Sequence, residues 1–286
     1  MKSKILLLTI ISFVTLFSCK ENGSPIKQKK QIVRKQPKSV SYTMENAKTW
    51  LEQNAVDVSK IEIVTAINRT DKKNLAKLDS IVIPSDFSGD VVYYLPFPLE
   101  VNYLKDVSKV LIFSYPTQTF AAYENGILAY SGPTNMGRKK DKTPTGLFFT
   151  NWKAEETTST FNDEWDLKWN FNIENKLGVG FHEYELPGYP ASHSCLRLLE
   201  KDAKFLYDWA DQWVLADEEN VKVKGTPVIV FGSYDFDGAK PWLQLVKNPK
   251  SLDISEAEVE KQVAPFLKSI LDQQKIRDDY TKTSVE

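Results

Sequence analysis

Apolar runs with strand-like spacing are concentrated between residues 105 and 235. They are short, rich in β-branched and aromatic residues, and separated by Gly, Pro and Asn, which is typical of buried strands joined by turns. One run contains Asn125-Gly126 between two alternating halves, and this dipeptide strongly indicates a β-hairpin. The predicted strands lie in KVLIFSY (109–115), TFAAYENGILAYSG (119–132), TPTGLFFTNW (143–152), LGVGFH (177–182) and GTPVIVFGSY (225–234).

Helical periodicity interrupts this region once, at Glu200–Val214. The pattern therefore predicts a mostly β domain over residues 105–235 with one packed helix, not a parallel βαβ array. The apolar residues that share one face of this helix are Ala203, Leu206, Tyr207, Ala210, Trp213 and Val214.

The segments on either side of this domain are predicted to be partly helical. Residues 41–104 form a small α+β region that begins with a helix at 43–54, and residues 236–286 form a C-terminal helical extension. An amphipathic helix is expected at 255–279, where Pro265 should kink or split it because proline lacks a backbone donor.

Part of the N-terminal region, INRTDKKNLAKLDSIVIP (67–84), faintly resembles the second half of a LysM glycan-binding module. The shared features are an Asn-Arg pair, spaced leucines and a closing hydrophobic-Pro pair. A generic helix–strand unit is the alternative.

The N-terminus has the pattern of an export signal. Lys2 and Lys4 precede an apolar run of 13 residues, Ile5–Phe17, which is short for a membrane span of about 20 residues. The sequence LFSC that ends at Cys19 resembles a bacterial lipobox, which implies a signal peptide at 1–18 and a lipidated Cys19. An uncleaved anchor and a plain secretory signal are the alternatives.

Residues 19–40 are predicted to be a disordered tether. The stretch 20–40 has seven basic residues, one acidic residue and few apolar ones, so it cannot form a core. The chain from Ser41 onward carries a net charge of −9, which argues against nucleic-acid binding. The lipid would attach the protein to a membrane, while the tether either contacts anionic headgroups or is a solvated spacer. The oligomeric state is unknown from sequence.

The chain has two cysteines and two histidines, and His182, His193 and Cys195 fall within fourteen residues. If Cys19 is lipidated, Cys195 is the only free thiol. A cysteine nucleophile needs an imidazole base, a group that orients the base, and backbone donors for an oxyanion. His182 ends a predicted strand, and the loop ELPGYPAS (185–192) is long enough to return Cys195 to it.

The order of these residues separates families. Papain-like enzymes have the cysteine before the histidine, whereas here no histidine follows Cys195. The order found here is His182, then Ser192-His193-x-Cys195, then Leu-Arg. This order resembles the signature of the L,D-transpeptidase catalytic domain, the YkuD family. Four flanking matches, spread over residues 109–232, are YENGILAY, TPTGLF, LLEKDAKFLYDW and GTPVIV.

The resemblance implies a β-rich enzyme that acts on peptidoglycan stem peptides in the cell envelope, facing the periplasm. Cys195 would attack the carbonyl between diaminopimelate and D-Ala, and His182 would transfer the proton. Backbone N–H groups of Ser194 and Cys195 would bind the oxyanion, and His193, packed beside them, would be the third catalytic residue. An amine acceptor would then receive the acyl group. No metal or organic cofactor is implied.

The same resemblance assigns substrate contacts to Ser192 and Arg197. Arg197 would bind a stem carboxylate, with a structural ion pair as the alternative. Three departures from the family are Ser194, where glycine is usual, Glu183, where Gly or Ser is usual, and a loop between His182 and Ser192 that is shorter than usual. Glu183 is expected to orient His182, through its backbone carbonyl in the family, although its side chain is a second possibility.

Several alternatives stay open at this point. Water as acceptor would make the enzyme an L,D-carboxypeptidase or endopeptidase, and a degenerate site would leave a non-catalytic peptidoglycan-binding lipoprotein. The two histidines and Cys195 are also zinc-ligand types, and Cys195 alone would be an ordinary core thiol. The aromatic stretch 152–171 is either a lid over the substrate or, as its composition favours, internal packing.

Overall fold

The computed structural model describes residues 33–158 and 166–284. The predicted signal peptide, Cys19 and the tether up to residue 32 lie outside the described residues, as do Phe161 and Trp165 of the aromatic stretch. In the two described ranges, no helix is long and apolar enough to cross a membrane.

These ranges contain thirteen strands and six α-helices. The strands are β1 (Tyr42–Asn46), β2 (Ser80–Pro84), β3 (Val110–Ser114), β4 (Thr119–Glu124), β5 (Ile127–Asn135), β6 (Gly146–Phe149), β7 (Lys153–Thr158), β8 (Asp166–Glu174), β9 (Val179–Glu183), β10 (Leu196–Leu198), β11 (Val214–Leu215), β12 (Val221–Val223) and β13 (Pro227–Phe231). The helices are α1 (Ala47–Asn54), α2 (Val58–Asn68), α3 (Lys72–Leu75), α4 (Glu200–Trp209), α5 (Glu256–Val263) and α6 (Leu267–Thr283).

Nine strands form one sheet in the order β6-β13-β3-β4-β5-β10-β9-β8-β7. Neighbours are antiparallel except for two parallel pairs, β13 with β3 and β10 with β9. The predicted hairpin joins β4 to β5 through Asn125 and Gly126, both with positive φ, as a tight right-twisted turn requires. The mostly β fold class with helical flanks is confirmed.

The central strands read as continuous apolar runs because both of their faces are buried. In β3, Leu111 and Phe113 belong to one core cluster, while Val110 and Ile112 belong to another on the opposite face. The first cluster includes Leu206 of α4, and the second includes residues of α5 and α6. The two cores therefore hold α4 on one face of the sheet and the C-terminal helices on the other.

The predicted helix Glu200–Val214 is wrong at its C-terminal end, since α4 stops at Trp209 and Ala210 is extended. The next residue, Asp211, exchanges hydrogen bonds with Thr226: Asp211 N donates to Thr226 Oγ1 at 2.8 Å, and Thr226 N donates to Asp211 O at 3.1 Å. This pairing draws the chain out of the helical path. The break predicted at Pro265 is confirmed, because α5 ends before it and α6 begins after it.

The sequence pattern did not predict β7 and β8, which form a hairpin from the aromatic stretch. Phe171 of β8 is fully buried in the core against α4, and the ring of Trp169 contacts Tyr207 edge-on at 5.5 Å. These two aromatic residues are packing residues. The described part of the stretch therefore agrees with the packing interpretation.

In the N-terminal region, the antiparallel pair β1–β2 packs with the helices between them. This folded region begins earlier than Ser41. Lys35 N donates to Asp90 Oδ2 at 2.8 Å, Asp90 N donates to Lys35 O at 2.8 Å, and Lys38 N donates to Asp86 Oδ2 at 2.8 Å. The last part of the predicted tether is thus bound to the domain, because two carboxylates and backbone pairing satisfy its polar groups.

Candidate active site

The candidate site forms where the parallel strands β9 and β10 lie side by side. Their register pairs Arg197 with His182 and Leu196 with Phe181. Cys195 directly precedes β10, so continuing the register sets it beside Gly180. Because partners in a parallel pair project to the same side of the sheet, His182 and Arg197 share one face, and Cys195 lies in the bend directly before β10. From strand spacing and rise, the Cα atoms of His182 and Cys195 are roughly 8 Å apart.

The imidazole of His182 is oriented by a backbone carbonyl. Its Nδ1 lies 2.8 Å from the carbonyl oxygen of Glu183. The carbonyl can only accept, so Nδ1 carries the proton and Nε2 keeps its lone pair. Burial lowers the pKa of His182 to about 4, opposed by this hydrogen bond and assisted by the charge of Arg197. The imidazole is therefore neutral at neutral pH.

The side chain of Glu183 does not take part in this orientation. It is the next residue along β9 and so points to the opposite face from His182, where its cross-strand partner is Lys168 of β8. Burial, with the nearby charges of Glu200 and Asp71, raises the pKa of the Glu183 carboxyl, and Lys168 opposes this. Of the two possibilities for this residue, the geometry agrees with the backbone carbonyl.

The thiol of Cys195 lies against the start of β9. Its Sγ is 3.7 Å from the carbonyl oxygen of Gly178, and the N–H of Gly180 bonds the sulfur. Burial raises the pKa of the thiol, while the Gly180 N–H and Arg197 lower it in part. Among the described residues, no hydrogen bond joins Sγ to His182, so proton transfer requires the thiol to turn away from Gly178.

Ser194 adopts the backbone conformation for which glycine is usual. Its φ is +83°, a region in which a side chain costs about 1–2 kcal/mol. Its carbonyl accepts a hydrogen bond of 2.8 Å from Thr143 Oγ1, and Gly137 N donates to the same hydroxyl at 2.9 Å. Because a trans peptide directs its C=O and N–H oppositely, this bond points the N–H of Cys195 away from Thr143.

Ser192 belongs to the framework of the turn. Its N–H donates to Met136 O at 3.1 Å, and its carbonyl accepts from Arg138 N at 2.9 Å. Only 1% of the residue is exposed. The substrate contact of Ser192 stays a prediction.

His193 is partly exposed beside a basic loop, GRKKDK (137–142). Burial lowers the pKa of His193, and the charge of Arg138 lowers it further. The loop is held by ion pairs of Arg138 with Asp141 at 2.5 Å and of Lys139 with Asp237 at 2.7 Å. Sequence analysis did not single out this loop, although its run of charges was visible. It makes the border of the site cationic.

Arg197 is held by an aromatic ring. Its guanidinium lies over the ring of Tyr184, 4.3 Å from the centroid, and the same ring meets the imidazole of His182 edge-on at 6.0 Å. In the described parts of the chain, Arg197 forms no ion pair, so its structural alternative has no support. Sequence analysis missed Tyr184, which lies directly after β9, two positions beyond His182.

The zinc alternative is not supported. Within residues 33–158 and 166–284, no group of three or more His, Cys, Asp or Glu side chains is arranged to hold a metal ion. His182, His193 and Cys195 therefore do not form a ligand set.

Residues 108–230 match the family model of YkuD, the L,D-transpeptidase catalytic domain. The matched segment begins just before β3, ends within β13 and includes His182, Ser194, Cys195 and Arg197. The resemblance predicted from sequence is confirmed. The N-terminal region and the C-terminal helices lie outside the YkuD match.

Several solved structures of L,D-transpeptidases are similar to the chain. The enzyme of Stackebrandtia nassauensis is 24% identical over 45% of this chain and 58% of that one, with a TM-score of 0.37. Those of Mycobacterium smegmatis and Mycobacterium tuberculosis H37Rv are each 20% identical over 44% of this chain, with TM-scores of 0.34 and 0.35. The match covers 59% and 58% of the length of these two relatives, so the chain spans about three fifths of each. A search of curated proteins found no match.

Proposed function

We propose that this chain is a peptidoglycan L,D-transpeptidase with Cys195 as its nucleophile and His182 as its base. The observation that carries the proposal is the parallel register of β9 and β10. It sets the neutral imidazole of His182 beside the guanidinium of Arg197, with Cys195 directly before β10 and its Sγ against the start of β9, inside the segment that matches the YkuD catalytic domain.

In the first step, the proton of Cys195 passes to Nε2 of His182 as Sγ attacks the carbonyl carbon between diaminopimelate and D-Ala. The C–N bond then breaks, His182 returns the proton to the departing amine, and a thioester remains on Sγ. The depressed pKa of His182 and the raised pKa of the thiol favour a neutral resting pair. The thiolate is therefore formed together with the attack rather than stored beforehand.

In the second step, an amine of another stem peptide attacks the thioester. Nε2 of His182 takes a proton from this amine, the C–S bond breaks, a new amide forms, and the proton returns to the sulfur. Water in place of the amine would release a tripeptide. Exclusion of water from the thioester therefore decides between cross-linking and hydrolysis.

The N–H of Cys195 is the proposed donor to the oxyanion. Its peptide is held on the carbonyl side by Thr143, which donates to Ser194 O. A donor fixed before the reaction stabilises developing charge without reorganising during the step. Thr143, in the TPTGLF motif, would thus act on the oxyanion through the peptide it fixes.

Arg197 is the proposed receptor for a carboxylate of the stem peptide. Tyr184 supports its guanidinium, and no carboxylate of the described residues neutralises it. A guanidinium can bind a carboxylate through two parallel hydrogen bonds. The basic loop 137–142 adds positive charge at the border, which suits an anionic substrate.

The proposal includes export and lipid attachment at Cys19. This rests on the signal-like pattern of residues 1–18 and agrees with a substrate that lies in the cell envelope. Residues 20–32 would then be the spacer between the lipid and the folded chain. Globomycin-sensitive processing and labelling with a palmitate analogue in the native host, lost in Cys19→Ala, would test this part.

The first test incubates the chain from Lys20 with disaccharide-tetrapeptide muropeptides, beside Cys195→Ala, with mass spectrometry as the readout. A cross-linked dimer that has lost D-Ala, absent from the variant, is expected. Tripeptide alone would replace the proposal by a carboxypeptidase. No product, with no carbapenem adduct on Cys195, would reject an active enzyme.

The two histidines provide a matched comparison for the same assay. His182→Gln should reduce turnover by about 10²–10⁴-fold, the usual contribution of a general base. His193→Gln should keep turnover within about tenfold of the parent. Equal losses in both variants would contradict the assignment of His182 as the base.

A further inference from the structure

The loop between His182 and Cys195 is bound by the N-terminal region, which lies outside the YkuD match. Leu186, fully buried in that loop, forms three hydrogen bonds with it. Its carbonyl accepts from Asp71 N at 3.1 Å and from Thr70 Oγ1 at 2.9 Å, and its N–H donates to Asp71 Oδ2 at 2.7 Å. Thr70 also forms a β-bridge with Pro187. The two segments are thus joined like a short strand pair.

The opposite end of the loop is bound by the catalytic sheet. Asn135, the last residue of β5, donates through its amide to Tyr189 O and accepts from Ala191 N at 3.1 Å. Between the two anchors, Gly188 has a φ of +81° and supplies the reversal of the chain. The chain between His182 and Cys195 is therefore held at Leu186 by the N-terminal region and at Tyr189 and Ala191 by the catalytic sheet.

A buried arginine makes the N-terminal anchor rigid. Arg69, which is 1% exposed, ends α2 in the left-handed conformation and directs Thr70 and Asp71 toward the loop. Its guanidinium donates to Ile67 O at 3.0 Å and to Thr117 O at 2.7 Å, the latter in the turn between β3 and β4. The N-terminal region is thus attached to the sheet beside the same loop.

We propose that Asp71 is a positioning residue of the candidate site. The inference deepens the proposed function and rests on it. By fixing Leu186, Asp71 sets the path of the chain between His182 and Cys195. Small displacements of reacting groups reduce rates steeply, and a loosened loop admits water to the thioester.

The test uses two helix-capping aspartates. Asp71 Oδ1 caps Asn74 N at 2.7 Å, and Asp57 Oδ1 caps Lys60 N at 3.0 Å in the same region. Asn caps helices as well as Asp, so both Asp→Asn variants keep the cap. In Asp71→Asn, however, the single amide oxygen cannot accept from both Asn74 N and Leu186 N. The amide N–H₂ group then faces one of these two N–H donors without forming a hydrogen bond. Asp57→Asn has no contact with the loop and is the control.

The readouts are kcat, KM for the tetrapeptide, and the ratio of cross-linked dimer to tripeptide, all measured with the chain from Lys20. Asp71→Asn should lower both the dimer-to-tripeptide ratio and kcat about tenfold, while its KM stays within twofold of the parent. Asp57→Asn should stay within twofold of the parent in the ratio, in kcat and in KM. An unchanged ratio in Asp71→Asn, or equal damage in Asp57→Asn, would overturn the inference.

A second measurement does not depend on the reaction. Iodoacetamide alkylation of Cys195 and amide exchange at residues 184–191 report the loop directly. Both should be at least threefold faster in Asp71→Asn than in the parent or Asp57→Asn. If the parent makes no product, the proposed function fails. If the rates of alkylation and amide exchange in Asp71→Asn equal those of the parent, the positioning role of Asp71 is overturned, whatever the result for the proposed function.

Discussion

His182 and Arg197 are cross-strand partners in the parallel β9–β10 pair, with the ring of Tyr184 in contact with both. The arrangement has two consequences. A permanent positive charge near the imidazole disfavours a second one, which helps to keep His182 neutral. The same charge stays available to a ligand because an aromatic ring, not a carboxylate, supports it.

The pH dependence of acylation follows from the neutral imidazole. Burial lowers the pKa of His182 to about 4, and the base must be unprotonated to accept the thiol proton. The rate of carbapenem adduct formation on Cys195 should therefore be nearly level from pH 6 to 8 and decline only as the pH falls toward 4. A decline with a midpoint near 6.5, the ordinary value for histidine, would contradict this.

Removing the guanidinium of Arg197 should weaken substrate binding more than turnover. We expect Arg197→Gln to raise KM for the tetrapeptide roughly 10–150-fold, since a hydrogen bond to a charged group contributes about 1.5–3 kcal/mol. Steady-state kinetics of D-Ala release measures this. A fall in kcat with unchanged KM would show that Arg197 does not bind the ground state.

Tyr184 provides the matched pair for the same assay. Tyr184→Phe keeps the aromatic face under Arg197 and should stay within about twofold of the parent, because the cation–π contact is retained. Tyr184→Leu removes that face and should reproduce part of the KM increase. Equal behaviour of the two variants would exclude a supporting role of the ring.

The positive φ of Ser194 predicts an order of stabilities. Ser194→Gly and Ser194→Ala both lose the hydrogen bond from Ser194 Oγ to His193 O, but only Ser194→Gly relieves the strain at +83°, so the Gly variant should be more stable than the Ala variant by about 1 kcal/mol. Ser194→Ala keeps the Cβ and loses this hydrogen bond, so it should be less stable than the parent. Urea unfolding gives both values, and an Ala variant as stable as the Gly variant would contradict the argument.

Asp202 of α4 makes stability depend on pH. Its Oδ1 accepts from the hydroxyl of Tyr130 at 2.7 Å, while Oδ2 has no hydrogen-bond partner among the described residues. Burial raises the pKa of this carboxyl from 3.8 to about 7. Between these values the native state keeps the proton and the unfolded chain releases it. The free energy of unfolding therefore falls as the pH rises from about 4 to 7 and is level above that.

Asp202→Asn should remove this pH dependence. In the parent, the free energy of unfolding should fall by roughly 1–4 kcal/mol across this pH range, at 1.36 kcal/mol per pKa unit. Thermal and urea unfolding at pH 5 and pH 8 measure it. Glu200→Gln, an exposed residue in the same helical turn, is the control and should keep the slope of the parent. A slope that persists in Asp202→Asn would assign the effect to other groups.

The chemistry of the site was predictable because it depends on residue types in a fixed order. His182, Ser192, His193, Cys195 and Arg197 could be chosen from sequence alone, and Ser194 was recognised as a position where glycine is usual, while its positive φ is known only from the structure. Ser192 was assigned to the substrate, and the structure buries it in the turn. This placement depends on a backbone pairing with Met136 and Arg138 that no local pattern encodes.

The sequence by itself determined the β-rich class, the Asn125-Gly126 hairpin and the neighbourhood of Cys195, since turn residues and apolar alternation act within a few positions along the chain. Only the tertiary structure decided that β10 lies parallel to β9, that Tyr184 supports Arg197, and that Asp71 holds Leu186 from 115 positions away. These contacts form only when the core closes. They depend on burial and on hydrogen bonds between distant segments, whose partners are not adjacent in any sequence window.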